Sequence, residues 1–173
     1  LSVQRNNIIL VGMMGTGKST VGAVLAEMAG YRLIDLDKRI EEEMSCTIPE
    51  LFANQGEQYF RDIESALLRS VLQESDVVLA TGGGAVLREE NRLAMLENGW
   101  VVALTADLES ILMRVGEDPG RPLLAGGARE KVTVLLEERK HAYDFAHVKI
   151  DTSGKNPDTL ASEILMHYRG QSK

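Results

Sequence analysis

Short apolar runs alternate with amphipathic stretches along the chain, and that alternation predicts its elements. Residues 8–11 (Ile8-Ile9-Leu10-Val11) lack polar interruption, as a strand covered on both faces requires. A loop at 12–17 leads into a helix from Lys18 to about Ala29, with Gly30 on its C-cap side. Residues 32–35 predict a second strand and 37–44 a helix. Thr47-Ile48-Pro49-Glu50 has capping-box spacing with proline in the first turn, and opens a short helix that Gly56 breaks. A longer helix is expected over about 57–73. A third strand at 77–80 runs into Gly82-Gly83-Gly84. Residues 89–97 read as helix stopped by Gly99, 100–104 as a fourth strand, and 108–115 as helix. The stretch 116–127 holds four glycines and two prolines and reads as a loop whose length marks a lid or disorder. Helix resumes over 130–143, a fifth strand follows at 148–150, and a last helix covers 157 to about 168. Strands alternating with helices, with no internal repeat, predict an α/β protein with a mostly parallel sheet.

Chemistry enters first between strand one and helix one. Gly12-Met13-Met14-Gly15-Thr16-Gly17-Lys18-Ser19 fits G-x-x-x-x-G-K-[ST] in the strand–helix setting that the motif needs. Glycines let successive amides curve around phosphate oxygens, and the helix turns its positive end towards the anion. Lys18 supplies a charge for the β- and γ-phosphates, and Ser19 a hydroxyl for Mg²⁺. Average residue usage produces the pattern by accident in roughly one chain of this length in a hundred or two. The strand–helix setting makes the coincidence rarer still.

Charge then alters the picture. The chain has 173 residues, which predicts one domain, and a net charge of -7. An acidic average argues against a nucleic-acid surface, so any bound anion has to be held locally. A pair of unit charges 4 Å apart is worth ~4 kcal/mol at an effective dielectric of ~20, whereas distant charges are screened within ~8–10 Å. The single cysteine, Cys46, excludes an intrachain disulfide, fits a reducing compartment and reads as a buried small residue. No apolar run reaches transmembrane length, so no membrane partner is expected. The polar start at 1–7 resembles no signal peptide, and the missing initiator Met points to a trimmed chain. A cytoplasmic location is expected, with the plastid stroma as the alternative if a transit peptide was removed.

Other candidates cluster at predicted strand ends, where open α/β sheets bind ligands. Asp35 and Asp37 follow the second strand and can divide labour between a metal and an acceptor hydroxyl, although Asp37 also suits an N-cap. Arg61, beside Phe60, can grip a carboxylate bidentately or simply pair with Glu57 or Glu64. Arg121 in the glycine-rich loop is placed to neutralise developing charge. Gly82, Gly83 and Gly84 allow close approach of a ligand to backbone amides. His141, His147 and His167 lack metal-ligand spacing, and Glu41-Glu42-Glu43 reads as a solvated helix face.

Together these segments resemble the shikimate kinase family over nearly the whole chain, from Ile8 to about Tyr168. The resemblance is carried by residues 12–20 with Gly22, Asp35-x-Asp37, Phe60-Arg61-x-x-Glu64, Gly82-Gly83-Gly84, Arg121-Pro122-Leu123-Leu124 and Asp151-Thr152-x-x-x-x-Pro157. It implies a three-layer α/β/α P-loop fold, with a five-stranded parallel sheet in the order 2-3-1-4-5, as in nucleoside monophosphate kinases. The implied activity is transfer of the ATP γ-phosphate to the 3-hydroxyl of shikimate by a Mg²⁺-dependent monomer, in aromatic amino-acid biosynthesis. Gly15, Thr16, Gly17, Lys18, Ser19 and Thr20 would hold ATP, with Arg114 and the turn from Thr152 to Pro157 framing adenine. Ser19 and Asp35 would face the metal. Lys18, Asp37 and Arg121 would be catalytic, with Arg121 closing from a lid over about 116–127. Asp37, Arg61, Gly82, Gly83, Gly84 and Arg139 would bind the acceptor in a region around 37–64, walled by Phe52 and Phe60.

One departure from the family pattern carries an expectation of its own. The family usually reads Arg-x-Pro-x-Tyr at the second acceptor arginine, whereas this chain reads Arg139-Lys140-His141-Ala142-Tyr143. Without proline the helix is expected to run on to Tyr143. The rival readings are another small P-loop kinase, such as a gluconate or nucleotide kinase, and a non-catalytic nucleotide-binding relative. Lys18, Asp37 and Arg61 are all present, and no base-reading segment is recognisable.

Overall fold

In a computed structural model, which describes residues 6–116 and 127–171, five strands form one parallel sheet in the order β2-β3-β1-β4-β5. The strands are β1 (Asn7–Gly12), β2 (Arg32–Asp35), β3 (Val77–Ala80), β4 (Trp100–Thr105) and β5 (Val148–Asp151). The helices are α1 (Lys18–Ala29), α2 (Leu36–Met44), α3 (Ile48–Gln55), α4 (Glu57–Val71), α5 (Glu89–Asn98), α6 (Leu108–Gly116), α7 (Ala128–Glu138) and α8 (Pro157–Gln171). A 3-10 turn at Ala85–Leu87, which the sequence pattern did not predict, follows the triple glycine.

Strand β1 lies at the sheet centre, pairing Ile9 with Leu79 on one side and with Val101 on the other. Its side chains alternate between two cores. Ile8 and Leu10 pack with Val21, Leu25, Ile164 and Leu165 beneath α1 and α8. Ile9 and Val11 join Leu68, Met95, Ile111 and Val132 on the opposite face. Both faces are therefore covered, which accounts for the unbroken apolar run. Each fully buried aliphatic side chain contributes about 1.5–3 kcal/mol relative to exposure. In α1 the buried positions Lys18, Val21, Gly22, Leu25 and Ala26 follow the helical period, so its first turn is fixed against the sheet end.

The chain leaves β1 towards β2 and leaves β4 towards the opposite edge, at β5. That reversal opens a crevice at the carboxyl ends of the central strands, where open α/β sheets bind ligands.

Local signals account for the helix boundaries. Gly30 adopts φ +72 and its amide reaches the last carbonyls of α1. Thr47 and Glu50 form the capping box of α3, with proline in the first turn. Glu41 departs from a purely solvated reading, because its carboxylate accepts from the Ile48 amide at 2.9 Å. Cys46 is half-buried rather than fully buried and packs against the core edge.

The largest correction concerns α7. The helix ends at Glu138 and does not run on to Tyr143. Arg139 is its C-cap, and turns close by Ala142 N–H to Arg139 O, Asp144 N–H to His141 O and Ala146 N–H to Tyr143 O. Past the helix end the Tyr143 ring is buried in the core, and Lys149 pairs with Asp144. The chain turns here without a proline.

Candidate active site

The loop between β1 and α1 is built around left-handed glycines. Gly12, Gly15 and Gly17 have φ of +146, +75 and +93. At Gly12 a Cβ would also overlap the Leu104 carbonyl, so the strand exit fits no other residue. Thr16 fixes the loop by donating its hydroxyl to Met13 O at 2.7 Å. The buried Lys18 ammonium donates to Gly12 O at 2.6 Å and Met13 O at 2.8 Å. Ser19 and Thr20 lie exposed in the first turn of α1, which presents its N-terminal amides to the crevice.

Asp35 ends β2 beside this loop. Its Oδ2 accepts from the Ser19 hydroxyl at 2.6 Å, and its Oδ1 caps α2 by accepting from the Lys38 amide. Asp35 is thus the N-cap, which leaves Asp37 in the first turn of α2. A Ser hydroxyl against a carboxylate is a hard-oxygen pair suited to Mg²⁺, which retains waters and takes substrate phosphate oxygens.

Across the crevice, side chains from three elements converge on the triple glycine after β3. A Cβ on Gly82 would lie 2.7 Å from Asp37 Oδ1 and 3.3 Å from Glu64 Oε2. One on Gly83 would lie 3.2 Å from Arg139 Nη1 and 3.6 Å from the Met14 amide. One on Gly84 would overlap the Arg61 guanidinium, 2.6 Å from its Cζ. Absent side chains are what let two carboxyl groups and two guanidinium groups approach the strand end, with the phosphate loop beside them.

Arg61 is held from several directions. It donates from Nη1 to Glu64 Oε1 at 2.8 Å, Glu57 lies 3.7 Å from Nε, and Cζ sits 5.1 Å from the Phe60 ring centre. Phe60 packs on Phe52 at 4.8 Å between ring centres. Glu64 is buried, and Oε2 has no hydrogen-bond partner among the described residues. Burial pushes its carboxyl above the ordinary glutamate range, against the pull of Arg61, Arg88 and Arg139. The pairing with Glu64 that a surface reading of Arg61 would invoke is present, but it is buried and faces the crevice.

Other predicted positions fall around this centre. Arg114 on α6 donates to Gly15 O at 3.0 Å, Thr152 Oγ1 at 3.0 Å and Thr152 O at 3.2 Å, which ties the turn after β5 to the phosphate loop. Pro157 opens α8 just beyond that turn. His147 Nδ1 accepts from the Val101 amide, and His141 pairs with Asp144. Arg121, Pro122, Leu123 and Leu124 lie outside the described residues, as does most of the expected lid. Sequence reasoning passed over Arg88 and Arg92. Arg88 reaches Arg61 O, Ser65 and Asp62, and Arg92 holds the carbonyls of Val86 and Leu87. Glu64 was signalled by its i,i+3 spacing to Arg61, whereas Arg88 and Arg92 had no local signal.

A phosphate cradle on the central strand of a parallel sheet ordered 2-3-1-4-5 places the molecule among P-loop proteins of the nucleoside-monophosphate-kinase type. A family model described as shikimate kinase matches residues 14–169. The chain is 47% identical over 161 residues to the curated shikimate kinase of Gloeobacter violaceus, covering 92% of this chain and 90% of that one. It is 46% identical over 164 residues to that of Geobacter sulfurreducens, covering 94% and 91%. Among solved structures, shikimate kinase from Acinetobacter baumannii in complex with shikimate superposes with a TM-score of 0.91 at 38% identity, covering 98% of this chain and 96% of that one. This chain belongs to the shikimate kinase family. A gluconokinase from Sinorhizobium meliloti, at TM-score 0.59 and 18% identity, shares the fold alone.

Proposed function

We propose that this protein transfers the γ-phosphate of ATP to the 3-hydroxyl of shikimate, giving shikimate 3-phosphate and ADP. One observation carries the acceptor assignment: Asp37, Arg61 and Arg139 converge on Gly82–Gly84 beside the phosphate loop. A carboxylate and two guanidinium groups suit a small acid that bears hydroxyls.

In this reading the loop amides with Gly15, Thr16, Gly17, Ser19 and Thr20 hold the triphosphate, and Lys18 moves from its carbonyls to the β/γ oxygens. Arg114 and the turn from Thr152 to Pro157 border the adenine. Arg61 and Arg139 fix the acceptor carboxylate, with Phe52 and Phe60 as a wall. Asp37 orients the attacking hydroxyl and accepts its proton. The acceptor oxygen bonds to Pγ as the bond from Pγ to the bridging oxygen breaks, and that electron pair leaves with ADP. Ser19 and Asp35 are the residues that would hold Mg²⁺, whose charge would offset that of the phosphates. Arg121 would neutralise the transferring group. The acceptor region spans about 37–64 of a single catalytic domain, and the enzyme works as a cytoplasmic monomer.

Specificity follows from desolvation. An acceptor without a carboxylate leaves Arg139 and the remaining Arg61 donors unmatched in a closed site, which costs on the order of several kcal/mol. The test is ATP-dependent ADP release with shikimate, using quinate and gluconate as controls. Turnover on gluconate with none on shikimate would reject the assignment.

A further inference from the structure

The two acceptor arginines are held by unlike partners. Arg61 pairs with the buried carboxylate of Glu64, which cancels part of its charge. Arg139 projects from a helix C-cap followed by turns, so no helical ladder beyond it fixes its stem. Its Nη1 lies against Gly83, the glycine whose carbonyl the Tyr143 hydroxyl also engages. The Tyr143 ring is buried in the core, 7% exposed, and its hydroxyl donates to Gly83 O at 2.9 Å.

That hydroxyl has one proton, and Gly83 O takes it. A guanidinium can only donate, so Arg139 can use nothing but the phenol lone pairs. A neutral acceptor orients a guanidinium without neutralising it, whereas a carboxylate does both.

We propose that the Tyr143 hydroxyl is a positioning group for Arg139: anchored on the Gly83 carbonyl, it aims the guanidinium at the acceptor carboxylate without itself adding a negative charge. The phenol touches neither substrate nor nucleotide and acts through Arg139. Burial pushes its pKa upward, so it stays a proton donor to Gly83 across the neutral range. The turn after α7 and the end of β3 then form one binding surface, and a flexible side chain is ordered before the acceptor arrives. The inference rests on the acceptor assignment above.

The experiment is a cycle of Tyr143→Phe, Arg139→Ala and the double variant, with KM for shikimate and for ATP measured on each. Tyr143→Phe keeps the buried ring and removes only the hydroxyl. The expected result is a shikimate KM about 10-fold higher, with ATP KM nearly unchanged. In the Arg139→Ala background the same change is expected to add less than about twofold, because the group it positions is gone. If turnover with Arg139→Ala is too slow to follow, shikimate titration of the same four proteins gives the cycle. An unchanged shikimate KM, a parallel rise in ATP KM, or full additivity with Arg139→Ala would each overturn the proposal. Wild-type protein that turns over ATP but neither binds nor phosphorylates shikimate would instead remove the acceptor assignment, and this inference with it.

Discussion

The two halves of the crevice are made differently. The phosphate half comes from one contiguous stretch, residues 12–20, and uses mostly backbone. Its amides, its left-handed glycines and the first turn of α1 are positioned by a single strand–helix connection. The acceptor half is assembled from side chains on α2, on α4 and at the end of α7, meeting at the end of β3. A backbone cradle recognises a triphosphate, a shape common to many substrates. In the proposed reading, distributed side chains recognise one particular acid. The general task is locally encoded, and the specific one depends on long-range packing.

Substitutions on either side can break or sharpen that contrast. Lys18→Ala removes the cradle's ammonium and should lower kcat by at least ~10³-fold, read by coupled ADP release. Near-normal kcat would show that the phosphate half does not depend on this charge. Arg61→Ala should raise shikimate KM about 100-fold with ATP KM within about twofold. Equal effects on both constants would erase the division between halves.

Adding one methyl group provides a matched pair. At Gly12 the new Cβ meets the Leu104 backbone carbonyl, which cannot move aside, so Gly12→Ala should lose folded protein or drop the thermal midpoint sharply. At Gly84 it meets the tip of Arg61, which can swing away. Gly84→Ala should therefore fold and raise shikimate KM about 10-fold, with ATP KM unchanged. Identical behaviour of the two variants would contradict the backbone-versus-side-chain distinction.

The smallest effect concerns pH. Burial raises the Glu64 pKa, so the folded state holds that proton more tightly than the unfolded chain does. This contribution to stability is fully present below the ordinary glutamate pKa and is lost as pH rises through the raised one. Glu64→Gln lacks that slope and should gain stability relative to wild type across the same interval, with a rise in shikimate KM as Arg61 loosens. Parallel melting curves from acid to neutral pH would remove the buried-carboxyl account.

Particular elements show where local information was enough. The bounds of α1 and β3, the Gly30 cap and the Thr47 capping box follow from residues within one turn of where they act. Asp35 and Asp37 were both singled out, but their spacing could not tell which one caps α2. The fold assigns that role to Asp35, with Ser19 against it. The end of α7 was not legible locally: just past it, Tyr143 and Asp144 are held by Gly83, beyond β3, and by Lys149 on β5. Arg88 and Arg92 stayed invisible because their partners are an unpredicted 3-10 turn and a helix more than twenty residues away.

By itself, the sequence determined the strand–helix alternation, the phosphate loop and the identity of the residues available for acceptor recognition. Hydrophobic period, glycine conformation and capping act over a few residues and can be read along a line. Only the tertiary structure decided which carboxylates and guanidinium groups share a crevice and which neighbours orient them. Those relations depend on packing between elements far apart in the chain, and there burial alters what each charge can do.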